Sequence, residues 1–244
     1  MKNPVVYEVN AKPEGGWTVS VPFDARLHDC ISERIAALQD AGDSAPQMEN
    51  GVLTILHFVP REAASLNFSA TRNLNQYLAP VGSSATNFRF NADGYLTYSR
   101  GRSDATLDAY AQLYRDGTIE SVTSKFGGLY SDRNVIASLQ FERDVLATVA
   151  SYVLLADELS VAPPWSVVLT MVRARGYAMA SNRSQFWFGE NTAIDRDVLR
   201  AEPVIVQGSK VDLASILQPV FDFFWQSSGL PGSENYDAEG KRLR

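Results

Sequence analysis

Two Asp-Gly pairs, each set between strand-like segments, constrain the fold of this chain more than any other feature. The pairs are residues 93–94 and 116–117. An Asp-Gly pair favours the tight turn of a β-hairpin, because glycine adopts the positive φ that such a turn requires. We therefore predict two successive hairpins, over residues 87–100 and 105–122, which together give four antiparallel strands.

Three amphipathic helices are predicted around these strands. The first follows Asp24, which can cap it, and covers about 24–41. A wide apolar stripe predicts a long helix over about 135–160, which ends before the prolines at 163–164. The last covers about 212–228, where apolar residues recur with the spacing of one helix face.

Further apolar runs complete the expected architecture. Strands are predicted at 5–9 and 17–21, which form an opening hairpin, and at 52–59, 166–173 and 204–207. The segment 124–133 is polar and contains glycine, so we expect a loop there. The sequence thus predicts a single α+β domain over 1–230, a largely antiparallel sheet packed by the three helices, and a polar C-terminal tail over 231–244.

Charge and cysteine content limit the classes of function and the cellular compartments that fit this sequence. The 244 residues carry a formal net charge of −6, which disfavours binding to bulk double-stranded nucleic acid. Cys30 is the only cysteine, so an intramolecular disulfide and a multi-cysteine metal site are excluded. Every apolar run is shorter than the ~18 residues of a membrane span, and the first residues lack the apolar core of a signal peptide. We expect a cytoplasmic protein that contacts no membrane.

The sequence shows no recognisable catalytic or cofactor motif. It contains no Walker pattern and no dinucleotide-binding fingerprint, and the glycine pair at 127–128 is typical of a plain loop. His28 and His57 lack an obvious partner in the sequence. The carboxylates around 195–197 lack the pattern of a calcium loop, and we expect Glu142 to serve solubility on the polar face of the long helix. We predict no catalytic residue, no metal and no cofactor.

Arginines and aromatic residues are interleaved over 88–115, as they are in surfaces that bind single-stranded nucleic acid or a nucleotide base. Strand alternation places Phe88 and Phe90 on the face opposite Arg89, so we expect the two phenylalanines to pack in the core. The candidate surface for a ligand or partner comprises Tyr98, Arg100, Arg102, Tyr114 and Arg115.

Several short stretches of the chain resemble segments of a known family. They are YAQLYRDGTIE at 110–120, DRDVL at 195–199 before Pro203, ILQPVFDFFWQSSG at 216–229, and NYD at 235–237 with Gly240. Over about 87–240 the chain thereby resembles bacterial AlbA/Schlafen-type DNA-binding proteins. In that family the AlbA-type domain is N-terminal, with a Glu-Phe-Lys segment and a Gly-Gly-rich strand that this chain lacks. The resemblance implies that the chain corresponds to the accessory C-terminal region of the family, to which no catalytic residue carries over.

The leading hypothesis is a non-enzymatic sensing or protein-interaction module, the accessory part of a prokaryotic nucleic-acid-associated protein. The alternative is an enzyme that processes nucleic acid or nucleotides, with a site assembled from dispersed arginine, aspartate and tyrosine side chains. Asp104 or Asp108 would supply its carboxylate. A protein or a nucleotide is the expected partner. A third hypothesis is a homodimer, because the apolar run at 221–225 faces more than one side of the last helix.

Overall fold

Two compact units make up the chain, Met1–Pro46 and Gln47–Arg244, and the residues of the predicted tail belong to the second. The computed structural model describes residues 8–11, 17–20, 23–40, 45–68, 74–103, 105–180, 193–237 and 239–243. The turn of the predicted opening hairpin, between the strands at 5–9 and 17–21, lies outside the described residues, as do residues 5–7.

A hairpin and a helix form the first unit. Strand β1 (Glu8–Ala11) pairs antiparallel with β2 (Trp17–Ser20), and α1 (Phe23–Asp40) follows. One face of α1 carries the buried apolar residues Leu27, Ile31, Ile35 and Leu38. Their spacing of three or four residues is that of an amphipathic helix, which confirms the predicted N-terminal helix.

Eleven strands and three helices are described in the second unit. In chain order they are β3 (Leu53–Pro60), α2 (Leu74–Tyr77), β4 (Asn87–Phe90), β5 (Gly94–Arg100), β6 (Leu107–Tyr114), β7 (Ile119–Thr123), β8 (Gly127–Tyr130), β9 (Arg133–Ile136), α3 (Ser138–Glu158), β10 (Trp165–Val172), β11 (Ala178–Met179), β12 (Val198–Arg200), β13 (Val204–Val206) and α4 (Leu213–Ser227). The α+β class and the helices predicted over about 135–160 and 212–228 are confirmed.

Eight of these strands form one antiparallel sheet. Its order is β12–β10–β3–β7–β6–β5–β4, and β13 pairs with β10 beside β12. Strands β4 to β7 follow one another in space as in sequence, as the two predicted hairpins require. Strands β3 and β10, which are distant in sequence, extend this meander on its other side.

Both Asp-Gly turns form where the sequence predicts them. Gly94 has a φ of 150° and Gly117 a φ of 87°, values that favour glycine. Side chains next to each glycine complete the turns. Asn91 Oδ1 accepts a hydrogen bond from the Gly94 N–H at 2.8 Å, and Asp116 Oδ1 accepts one from the Thr118 N–H at 2.9 Å.

The loop predicted at 124–133 is wrong, because β8 and β9 form a third hairpin there. Its turn residues, Ser131 and Asp132, have φ values of 47° and 64°. Two successive residues with positive φ are what a tight hairpin turn needs, but neither is glycine, so the usual turn signal is missing. Strand β11 adds to β9 in parallel and completes a three-stranded sheet.

Helices α3 and α4 pack with one face of the large sheet in a common hydrophobic core. Phe58 of β3 contacts the rings of Tyr152 on α3 and Trp165 on β10. Phe141 of α3 makes edge contacts with Phe221 and Phe224 of α4. The apolar run at 221–225, on which the homodimer hypothesis rests, is therefore largely used inside the chain.

Glu142 of α3 is completely buried, so its predicted role in solubility is wrong. Its carboxylate accepts hydrogen bonds from Trp225 Nε1 at 2.8 Å and Ser233 Oγ at 2.7 Å, and it pairs with Arg242 Nη1 at 3.2 Å. A buried carboxylate requires such compensation. Because Ser233 and Arg242 follow α4, this network fastens the end of the chain to α3.

Candidate functional site

The five residues of the predicted surface lie on the hairpin of β5 and β6 or directly beside it. Arg102 is in the connection between the two strands, and Arg115 follows β6. Tyr98 is half-buried in the middle of β5, opposite Tyr110. Arg100 ends β5, whereas Tyr114 at the end of β6 faces Gly94 at the start of β5. Six residues of strand separate these two ends, which is about 20 Å.

The structure therefore brings together Arg100 and Arg102 at one end, and Tyr114 and Arg115 at the other. The hypothesis that all five residues form one surface stays a prediction. So does the hypothesis that some of them form an enzyme site. Asp104, one of the two carboxylates expected at that site, lies outside the described residues.

The arginine end of the hairpin is held by Glu49. The Glu49 carboxylate accepts hydrogen bonds from Thr106 Oγ1 at 2.5 Å and from the Arg102 N–H at 2.7 Å. These two donors, the Thr106 hydroxyl first, lower the pKa of Glu49 from its ordinary value. Asp108, the second expected carboxylate, is half-buried and lies 3.8 Å from Lys125 Nζ. The Glu49 carboxylate thus has two hydrogen-bond donors beside it, and the Asp108 carboxylate has a cation beside it.

Two aromatic side chains on β4 are exposed, although the sequence predicts that they pack in the core. Phe88 is 60% exposed and Phe90 is 59% exposed. Alternation does place both on the face opposite Arg89, as expected. However, β4 is the last strand of the sheet on its side, among the described residues. The aromatic face of β4 remains open because burial depends on what covers a strand, and alternation alone does not show this.

The rings of two buried residues, Tyr95 and Phe68, pack against these two exposed phenylalanines. The ring centre of Tyr95 lies 4.9 Å from that of Phe90 and 5.9 Å from that of Phe88. Phe68 lies 6.1 Å from Phe90, and the guanidinium carbon of Arg115 lies 5.6 Å from the Phe68 ring centre. Burial raises the pKa of Tyr95, so its phenol remains neutral. We call Phe68, Phe88, Phe90, Tyr95 and Arg115 the aromatic edge.

The main chain of β4 adds hydrogen-bonding groups that face no partner strand among the described residues. The Asn91 N–H donates to the Gly94 oxygen at 3.0 Å, which sets the alternation of the β4–β5 ladder. By that alternation Arg89 bonds to β5, while the N–H and C=O groups of Phe88 and Phe90 point away from it. An edge strand with such groups can pair with another extended chain. The aromatic edge can therefore bind a peptide through both its main chain and its side chains.

A second constellation, which the sequence does not reveal, lies inside the sheet. Tyr110 Oη donates a hydrogen bond to Glu120 Oε1 at 2.6 Å, and His57 Nε2 lies 3.2 Å from Glu120 Oε2. The three residues belong to the adjacent strands β6, β7 and β3, and each is at most 1% exposed. A carboxylate that accepts from Nε2 fixes the imidazole with a proton on that nitrogen. No described atom bonds to His57 Nδ1.

This trio orients an imidazole as catalytic carboxylate–histidine pairs do. A substrate cannot contact groups that are buried to this extent, so the structure supports a role in holding β3, β6 and β7 in register. The sequence offers one signal, which is a polar residue within each of two apolar strands. It does not show that these strands are neighbours, because β3 and β7 are separated by more than 50 residues.

The described residues contain neither a metal-ligand cluster nor a helix suited to a membrane. No group of three or more His, Cys, Asp or Glu side chains in that part of the chain could hold a metal ion. None of the described helices is long and apolar enough to cross a membrane. Comparison with protein families, with curated proteins and with solved structures finds no significant match.

Proposed function

We propose that this chain is a non-enzymatic protein-interaction module that binds an extended peptide segment of a partner protein along β4. The observation that carries this proposal is the exposure of Phe88 and Phe90, at 60% and 59%, on a strand with an open edge. Peptides that add a strand to a sheet gain affinity from main-chain hydrogen bonds and specificity from alternate side chains.

The chemistry of β4 defines the peptide that fits. On one face Phe88 and Phe90 favour apolar side chains at alternate positions of the peptide. On the other face lies Arg89, which is exposed and favours an acidic residue between them. A net charge of −6 argues against a nucleic-acid strand in the same place, because the protein as a whole repels a phosphate backbone.

The family resemblance supports a broader setting for this module. We place it as the accessory C-terminal part of a prokaryotic, cytoplasmic protein of the AlbA/Schlafen type. In that setting the module recruits a partner, and any chemistry on nucleic acid belongs to the AlbA-type domain.

A displayed peptide library provides the test. Peptides are selected on the wild-type protein and counter-selected on the double variant Phe88→Thr and Phe90→Thr, which keeps a residue of high strand propensity at each position. We expect enriched peptides with apolar residues at alternate positions. Their affinity for the double variant, measured by fluorescence anisotropy, should fall at least about tenfold, because exposed aromatic anchors dominate such contacts.

Leu129 and Tyr130 on the β8–β9 hairpin provide a matched control, since they are 71% and 66% exposed. Replacing both by threonine should leave the peptide affinity unchanged. The proposal is wrong if both double variants lose affinity equally, or if no alternating peptide is enriched. It is also wrong if the Phe88 and Phe90 changes abolish self-association or binding of a single-stranded oligonucleotide instead.

A further inference from the structure

Arg115 is the cation of the aromatic edge, and it is exposed. It follows the last residue of β6, and its main-chain oxygen accepts a hydrogen bond from the Leu66 N–H at 2.9 Å. The main chain of Arg115 is therefore fixed, while its side chain extends to the turn between β4 and β5. There it lies next to the strand along which the peptide is proposed to bind.

Two contacts orient the guanidinium of Arg115. Its Nε donates to the Ala92 oxygen at 3.2 Å, and its central carbon lies 5.6 Å from the Phe68 ring centre. Arginine stacks on aromatic rings and keeps its charge when it does so. Because Nε makes the bond to Ala92, the two terminal nitrogens keep their donors for another acceptor. Such a planar pair of donors matches the two oxygens of a carboxylate.

No carboxylate of the described residues forms an ion pair with Arg115. The adjacent Asp116 instead accepts a hydrogen bond from the Thr118 N–H, at 2.9 Å from its Oδ1. Arg143 and Arg196 differ in this respect, since each donates from Nε to an adjacent aspartate, at 2.9 Å and 3.2 Å. Arg115 is thus an oriented cation to which the described part of the chain supplies no counterion.

The guanidinium lies beyond the C-terminal end of β4, on the side of the two exposed phenylalanines. The Phe68 ring contacts both groups, because its centre is 6.1 Å from that of Phe90 and 5.6 Å from the guanidinium carbon. Ala92, which accepts from Arg115, is two residues after Phe90. In a paired peptide, side chains on one face recur every ~7 Å. The next position on this face, after those over Phe88 and Phe90, therefore lies beside Arg115.

We infer that Arg115 selects a carboxylate in the bound peptide, two residues from the apolar residue that covers Phe90. This inference rests on the proposed binding of a peptide along β4. The strand pairings described for the large sheet are all antiparallel, so the peptide is expected to run opposite to β4. Its acidic residue then precedes the apolar pair, in the pattern acidic-x-apolar-x-apolar. We call Phe68, Ala92 and Arg115 the carboxylate subsite.

Synthetic peptides with blocked termini test the carboxylate subsite on the full chain, by fluorescence anisotropy. Each carries leucine at two alternate positions, and either glutamate or glutamine two residues before the first leucine. Their other residues are uncharged, so the glutamate supplies the only carboxylate. The glutamate peptide should bind the wild type about three- to fivefold more tightly, as expected for an exposed but oriented ion pair. This preference should shrink at about 1 M salt, which screens exposed charges.

Three variants of the protein separate the carboxylate subsite from net charge alone. Arg115→Gln should bind both peptides with the affinity that the wild type has for the glutamine peptide. Arg115→Lys should retain only part of the preference, because lysine keeps the charge but not the planar pair of donors. Arg175→Gln is the matched control, since Arg175 is exposed and follows β10, several strands away from β4. It should keep the full preference for glutamate.

The inference is overturned if the wild type binds the two peptides equally while the Phe88→Thr and Phe90→Thr double variant weakens the binding of both. In that case peptide binding along β4 stands, and only the role of Arg115 is wrong. An Arg175→Gln variant that loses the preference as fully as Arg115→Gln would also contradict it. If the phenylalanine changes leave both affinities unchanged, the peptide-binding function itself is wrong, and the carboxylate subsite is wrong with it.

Discussion

At the residue scale, Glu120 lies between two donors from neighbouring strands, Tyr110 Oη at 2.6 Å and His57 Nε2 at 3.2 Å. All three residues are almost fully excluded from water. Inside a protein, removing an acceptor from a buried donor costs more free energy than the same change at the surface, because water does not replace it. The carboxylate therefore matters more to stability than either of the groups that bond to it.

Replacing this carboxylate should strongly destabilise the second unit. We expect Glu120→Ala to lower the free energy of unfolding by about 3–5 kcal/mol, because it removes the carboxylate that the buried Tyr110 and His57 side chains both contact. Tyr110→Phe, which removes one donor and keeps the ring, should cost only about 1–2 kcal/mol. Urea denaturation measures both. Equal losses for the two variants would show that the trio does not depend on its carboxylate.

At the element scale, the cap of α4 provides a prediction that depends on pH. Asp212 Oδ1 accepts from the Ala214 N–H at 3.0 Å, and Asp212 Oδ2 accepts from Ser215 Oγ at 2.7 Å. The Ser215 hydroxyl, followed by the main-chain N–H groups, lowers the pKa of Asp212 from its ordinary value of 3.8. The folded state thus favours the ionised form of this carboxyl group.

The sign of the pH effect follows from that shift. A lowered pKa in the folded state stabilises the protein at pH values above 3.8, and this contribution is lost as the pH falls through the folded-state pKa. We expect Asp212→Ala to lower the melting temperature at pH 7 and to have a smaller effect at pH 3. Thermal unfolding of the wild type and the variant between pH 3 and pH 7 checks this prediction. A difference that stays constant with pH would mean that the cap does not act through its charge.

Element-scale features also show what the sequence predicts well. The hairpins at 93–94 and 116–117 and the long apolar stripe of α3 are local patterns, and each forms where it is predicted. The hairpin of β8 and β9 is missed because Ser131 and Asp132 adopt positive φ without glycine. Local chemistry therefore determines most elements, and the exceptions are turns stabilised by their surroundings.

At the scale of the whole molecule, the candidate sites depend on which distant elements become neighbours. The trio requires β3 beside β7, and the carboxylate subsite requires Phe68 and Arg115 beside the end of β4. The exposure of Phe88 and Phe90 requires that no described strand or helix covers β4. Strand alternation correctly places Phe88 and Phe90 on one face of β4, but sequence patterns do not specify which elements are neighbours, so none of the three sites is predicted from the sequence, although Arg115 belongs to the predicted surface.

The end of the chain is one such distant neighbour, because Arg242 pairs with the buried Glu142. We expect Arg242→Ala to lower the free energy of unfolding by about 3–5 kcal/mol, since it leaves a buried carboxylate without its cation. Lys241 is exposed, so Lys241→Ala should change it by no more than about 0.5 kcal/mol. Urea denaturation measures the free energy of unfolding of both variants. If the two variants are equally stable, the end of the chain does not hold α3.

Hydrogen exchange at β4, measured with and without a selected peptide, tests the central claim most directly. Peptide pairing along the open edge should slow exchange of the Phe88 and Phe90 N–H groups, which point away from β5, and should leave that of Arg89 nearly unchanged. A peptide that binds tightly while both phenylalanine amides exchange at their original rates would contradict the proposed docking edge.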